Sequence, residues 1–155
     1  MNRPDTPAAF SATSSATTSS VLATPRPTWL AVLQPYVLSI LRIVVGLLFL
    51  EHGMSKLFGF PPHGQMPGFM ELEWFAGTVE FTGGILLALG LFTRAAALLM
   101  SGEMAIGYFI AHAPRSFFPL LNGGDAAVLY CFVFFYFVFA GAGPLSLDAL
   151  IWRKR

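Results

Sequence analysis

The chain changes texture once, near Thr28. Before it, from Met1 to about Thr28, Ser, Thr, Ala and Pro dominate, and the run Ser11–Ser20 holds nothing larger than Thr. Ordering such a stretch costs backbone entropy with no apolar burial in return, so the pattern predicts a disordered tail over residues 1–28. No apolar stretch of about 7–15 residues follows the basic start, so this tail is not read as a secretory signal. After it come four apolar stretches: Tyr36–Phe58, Trp74–Phe92, Ala95–Ala111 and Asp125–Ala142. Each is about 17–23 residues long, where about 20 suffice to carry a helix across the hydrocarbon of a bilayer. Strand-like alternation is missing, and lipid demands that every backbone group pair internally. The expected fold class is therefore all-α, an integral membrane four-helix up-down bundle over residues 29–155.

The connections refine this. Thr93-Arg94 is a tight turn that makes the second and third helices antiparallel neighbours. The Gly59–Glu73 loop mixes Pro61, Pro62, Gly64, Pro67 and Gly68 with Phe60, Met66, Phe69 and Met70, which suits an interface and not open water. The Pro114–Gly124 loop is similar in kind. After Pro144, Ser146 is placed to cap a short amphipathic helix carrying Leu147, Leu150, Ile151 and Trp152. With four spans, both tails and the Thr93-Arg94 turn share one side, which holds Arg3, Arg26, Arg94, Arg153, Lys154 and Arg155. The other side holds Lys56 and Arg115. The basic excess puts both termini in the cytoplasm and the two longer loops outside.

Composition agrees with a membrane chain. Of 155 residues, 55% are hydrophobic, 11% are charged and 16 are Phe, whereas soluble domains carry about 25% charged residues. Mean hydropathy is +0.67. A net charge of +1 offers nothing to a nucleic acid. The one cysteine, Cys131, forms neither a CxxC pair nor a thiolate cluster.

Ionisable groups inside a bilayer are expensive and read by default as functional. At 100° per residue, Arg42, Gly46, Phe49, Gly53 and Lys56 share one face of the first helix, with His52 at its flank. Glu80 shares a face with Gly77, Gly84 and Ala88; Glu103 with Ala96, Leu99 and Gly107; Asp125 with Leu129, Phe132 and Tyr136. These stripes are expected to face one another, since small residues let helices approach closely. Glu80 lies about 9 Å below Trp74 at helical rise. An outer cluster of Glu80, His52, Lys56, Asp125, Asn122 and His112 follows, with Arg42 and Glu103 paired as a structural ion pair in the cytoplasmic half. Snorkelling to headgroups is the competing account of Lys56 and His112. Glu51 points away from Arg42 and is read as an interfacial carboxylate.

The order of motifs resembles the DoxX-like family of small membrane proteins. It is carried by Leu41-Arg42 with Gly46 and Phe49, His52-Gly53 with Lys56-Leu57, and Gly59-Phe60. It continues through Glu80 with Gly83-Gly84, Gly90-Leu91, Thr93-Arg94, Asn122-Gly123-Gly124 and Ser146-Leu147-Asp148, so it spans about residues 36–150. Asp125 stands where family patterns often have Glu. The resemblance implies a multi-pass protein of the bacterial plasma (inner) membrane, associated with quinol oxidases, thiosulfate–quinone oxidoreduction or oxidative-stress complexes.

The functional expectation is an accessory subunit of a quinone-linked respiratory or oxidative-stress oxidoreductase complex. In it Glu80 and His52 are proton carriers, and Lys56, Asn122 and Asp125 meet a quinone headgroup. The sequence has no haem, flavin or iron–sulfur signature, so no covalently bound cofactor is expected and electrons come from an oxidoreductase partner. The alternative is a non-enzymatic membrane scaffold or assembly protein, whose polar stripe locks helices together. A metal site from His52, Glu80, His112 and Asp125 is disfavoured by their scatter over four helices. A transporter is disfavoured by the lack of broken helices or duplicated halves. The partners are thus the lipid bilayer and an oxidoreductase, and the sequence leaves an oligomer open.

Overall fold

A computed structural model describes residues 28–62 and 64–152; the stretch 1–27 predicted to be a disordered tail, and Arg153–Arg155, lie outside the described residues. The described chain forms α1 (Trp29–Phe58), α2 (Leu72–Leu89), α3 (Thr93–Gly107) continued by a π turn (Tyr108–His112), α4 (Pro119–Asn122), α5 (Asp125–Ala140) and α6 (Leu147–Trp152). It is all-helical, with no strand among the described residues.

The first helix begins earlier than its apolar pattern predicts. Pro35 reads as a break, yet α1 starts at Trp29 and runs through it. The extended Thr28 caps the helix, its Oγ1 accepting from the Ala31 N–H at 3.4 Å, and the Ser39 hydroxyl donates to the Pro35 carbonyl at 3.1 Å. The segments Trp29–Phe58, Leu72–Leu89 and Thr93–His112 are long and apolar enough to cross a membrane. The fourth expected span, α5, is apolar throughout but 16 residues long. Large apolar side chains such as Leu47, Leu99, Phe109 and Phe132 cover the outer surface, as hydrocarbon surroundings require.

Backbone contact sets the register of α1 against α2. A Cβ on Gly46 would lie 2.7 Å from the Ala88 nitrogen, and one on Gly84 would lie 2.6 Å from the Leu50 nitrogen. Only glycine permits that approach, which replaces side-chain packing by direct backbone contact. The turn lies at Gly90–Phe92 and not at the expected Thr93-Arg94, which are the first residues of α3, because Gly90 takes the left-handed conformation that ends α2. From it α3 runs back along α2 as an antiparallel neighbour, with Gly83 facing Met100. Helix α5 packs on α3, where the Ser101 hydroxyl donates to the Cys131 carbonyl at 2.9 Å. Phe49, Leu87, Met100, Phe134 and Phe137 fill the centre, with Val45 and Ala97 around them.

The face buried by α5 is not the expected one. Leu129, Phe132 and Tyr136 are exposed, while Phe134 and Phe137 are fully buried. A helix apolar on every side carries no polar face to reveal its orientation. The face of Glu103 is shifted too, since Leu99 is exposed and Ala97 and Met100 are buried.

The end of the molecule carrying the Gly90–Phe92 turn is closed by charge. Arg42 is completely buried. Its Nε donates to the Ala142 carbonyl at 2.9 Å, Nη2 to Leu145 at 2.5 Å, and Nη1 to Ala88 at 3.0 Å and to Leu87. One cation thus satisfies carbonyls at the C-terminal ends of α2 and α5, where the helix dipoles favour positive charge. Gly90 makes room for it, since a Cβ there would stand 2.8 Å from the Arg42 Cζ, and its φ is +68°. Asp148 performs the converse task, accepting from the Phe92 and Thr93 N–H groups at 2.9 Å each, at the start of α3. Ser146 caps α6 as its position predicts, accepting from the Ala149 N–H at 3.1 Å.

Candidate functional site

The opposite half of the helices holds the polar cluster. The turn between α2 and α3 makes those helices antiparallel, and Gly83 facing Met100 sets Glu80 level with Glu103, each about the same distance from the turn. On α1, Lys56 packs its Cβ against Gly77, one turn from Glu80. Its ammonium reaches across and bonds Glu80 Oε1 at 2.5 Å. The Glu80 side chain is 4% exposed and that of Lys56 is 32% exposed, so the pair joins the helix interior to its edge. Glu80 Oε2 is buried without a hydrogen-bond partner, as are both oxygens of Glu103. Glu103 lies within electrostatic reach of Glu80 and Lys56.

The expected Arg42–Glu103 ion pair does not form. Every donor contact of Arg42 goes to a backbone carbonyl at the turn end, whereas Glu103 sits at the level of Glu80. The expectation placed both residues in the cytoplasmic half; the turn at Gly90–Phe92 instead brings Glu103 to the level of Glu80. The signal was masked by the turn expected at Thr93-Arg94: only from the actual Gly90–Phe92 turn do Glu80 and Glu103 lie at about equal distance.

The remaining expected site residues separate into three environments. His52 is exposed at the edge of α1, its ring meeting Phe49 and Tyr130 edge-on at 6.4 and 6.2 Å. Asn122 is buried and spent on its own loop: Nδ2 donates to the Ser116 carbonyl at 2.8 Å and to the Tyr108 hydroxyl at 3.3 Å, and Oδ1 accepts from the Gly124 N–H at 2.8 Å. His112 Nδ1 lies 3.1 Å from the Asn122 carbonyl oxygen. Asp125 is exposed in the first turn of α5. The structure therefore unites Lys56 and Glu80, adds Glu103, and leaves His52, Asn122, His112 and Asp125 apart from them. Among the described residues no three His, Cys, Asp or Glu side chains converge as metal ligands.

Two clefts lie away from this cluster. One of about 500 Å³ is lined at the turn end by Phe92, Arg94, Gly141 and Trp152, and one of about 670 Å³ lies beside Trp29, Val37, Leu41 and Tyr136.

The model of the DoxX family matches residues 37–113. An uncharacterized protein of Haemophilus influenzae is 46% identical over 129 residues, covering 78% of this chain and 95% of the relative. The chain belongs to the DoxX family of membrane proteins. A Bacillus subtilis protein named "Putative oxidoreductase CatD" is 26% identical over 120 residues, covering 75% of this chain and 87% of that protein. A second uncharacterized Haemophilus influenzae protein is 29% identical over 126 residues, covering 74% of this chain and 82% of its own length. No solved structure matches.

Proposed function

We propose that this protein is an accessory membrane subunit of a quinone-linked respiratory or oxidative-stress oxidoreductase complex, with the Lys56–Glu80 pair as its proton-handling element. The observation that carries the reading is Glu80, buried on a membrane-length helix with one oxygen on Lys56 and the other free. A charge so placed is costly in lipid and is retained where it has work to do. The printed name of the Bacillus subtilis relative supports redox work. The residues suit a quinone: Lys56 offers a donor to a carbonyl oxygen and the free Glu80 oxygen accepts from a quinol hydroxyl. A bound quinone supplies the two-electron, two-proton chemistry. Lys56 orients its headgroup, and Glu80 holds or passes the proton. His52 at the helix edge serves as the relay to water, while Asp125, at the exposed end of α5, contributes negative charge near the entrance.

In this reading α5 completes a four-helix up-down bundle in the bacterial inner membrane, tilted or drawn in at its shorter length. Both termini face the cytoplasm, as the basic residues favour. The decisive experiment replaces Glu80 by Gln, which keeps size and hydrogen bonding but carries no exchangeable charge. Quinol-dependent respiration in membranes is then measured beside the melting temperature at matched protein levels. A folded Glu80→Gln protein with depressed activity supports the reading, and a folded, fully active one refutes it. A variant that falls apart favours the scaffold alternative. Co-purification with an oxidoreductase and quinone from mild detergent tests the partner directly.

A further inference from the structure

We propose that Glu80 and Glu103 form a carboxylate pair that, together with Lys56, holds one exchangeable proton between α1, α2 and α3. The inference rests on the reading above only for the use made of the proton. Its geometric basis is separate. Two carboxylates stand level across the α2–α3 contact, and one ammonium serves them, bonded to Glu80 Oε1. Three carboxylate oxygens remain, Glu80 Oε2 and both of Glu103, all buried and without a partner.

Charge counting then determines the occupancy. Lys56 balances one carboxylate, and a second unbalanced negative charge among apolar helices is far more expensive than one bound proton. Like carboxylates sharing a site titrate as a pair, in which one proton serves both. Among the described residues no other side chain donates to Glu80 Oε2 or to Glu103. On α1, His52 is turned to Phe49 and Tyr130. On α5, Tyr130 stacks on Phe134, and Cys131 lies 3.7 Å from the Ser101 hydroxyl. None of them donates to Glu103. The proton binds an oxygen of the pair and leaves the same way, so the site changes charge by one without any electron transfer. Lys56, partly exposed, gives that proton its route to the helix edge.

Infrared spectroscopy of the purified protein in lipid nanodiscs, in the absence of quinone and partner, tests this. A protonated carboxylic acid has a carbonyl stretch distinct from that of carboxylate, and it shifts in deuterium oxide. The native protein is expected to show one such band at neutral pH. Glu103→Gln and Glu80→Gln should each abolish it, because Lys56 then balances the single remaining carboxylate. Lys56→Met should roughly double it, since two carboxylates then need two protons. Absence of the band in the native protein overturns the proposal whatever the variants do. Survival of the band in a folded Glu103→Gln protein, or an unchanged band in Lys56→Met, also overturns it. The expected pattern beside full quinol-dependent activity of Glu80→Gln would retire the quinone-linked role and keep the proton pair. Lost activity with no native band would do the reverse.

Discussion

Replacing Arg42 by Met removes the cation that joins the ends of α2 and α5 to the segment leading into α6. Four carbonyls, those of Leu87, Ala88, Ala142 and Leu145, lose the Arg42 donor at once, with Leu87 keeping only the Gly90 N–H. Hydrogen bonds between membrane helices average about 0.6 kcal/mol, so four give about 2–3 kcal/mol. Bonds to a charged donor in water-soluble proteins are stronger, about 1.5–3 kcal/mol each. Met fills much of the volume, so little of the cost comes from a cavity. The expected loss lies between these two estimates, about 3–5 kcal/mol. At about 2–4 °C per kcal/mol for a chain of this size, the melting temperature in nanodiscs should fall by roughly 10 °C. Arg42→Lys should recover only part of this, because one ammonium cannot reach carbonyls on three segments as a planar guanidinium does. A melting temperature for Arg42→Met within about 2 °C of native would refute the assignment. Equal stability of Arg42→Lys and native protein would refute the argument from the fork geometry.

Two further expectations can be checked with little effort. Asp148→Ala strips two N–H acceptors from the start of α3 and should cost about 1–2 kcal/mol, read as a lowered melting temperature, with Asp148→Asn intermediate. In a Cys131→Ala background, Gln65→Cys should react with an impermeant thiol reagent in intact cells and Arg94→Cys should be protected; the opposite pattern reverses the proposed topology.

How far the site could be read from the chain depended on the kind of information each residue carries. Glu80 was visible because a carboxylate deep in an apolar stretch is anomalous whatever surrounds it. Lys56 was visible through turn-spaced position on the opposing helix, and the structure joins the two at 2.5 Å. Glu103 was misassigned because both its depth and part of its face depend on how α3 turns back along α2, which the chain alone does not show. Asn122 looked like a ligand-binding amide, yet its donors and acceptor are consumed by Ser116, Tyr108 and Gly124. A short loop rich in glycine needs such an internal brace, and its partners are mostly backbone atoms with no mark in the sequence.

Local and one-dimensional properties were therefore determined by the sequence alone. Apolar runs of membrane length, the glycines that let α1 touch α2 and the Ser146 cap all depend on residues within a turn or two of one another, whereas the turn expected at Thr93-Arg94 lies just before it, at Gly90–Phe92. Start positions were less secure, since α1 begins at Trp29 and runs through Pro35. Tertiary structure alone decided which face of α5 is buried, because Phe lies on every side of that helix and offers no polar face to exclude. It also decided the fate of Arg42. An arginine can be satisfied by a carboxylate or by carbonyls at helix ends, and only the folded chain brings Leu87, Ala142 and Leu145 to it from far along the sequence. Backbone acceptors are identical in every residue, so no pattern of side chains could have announced them.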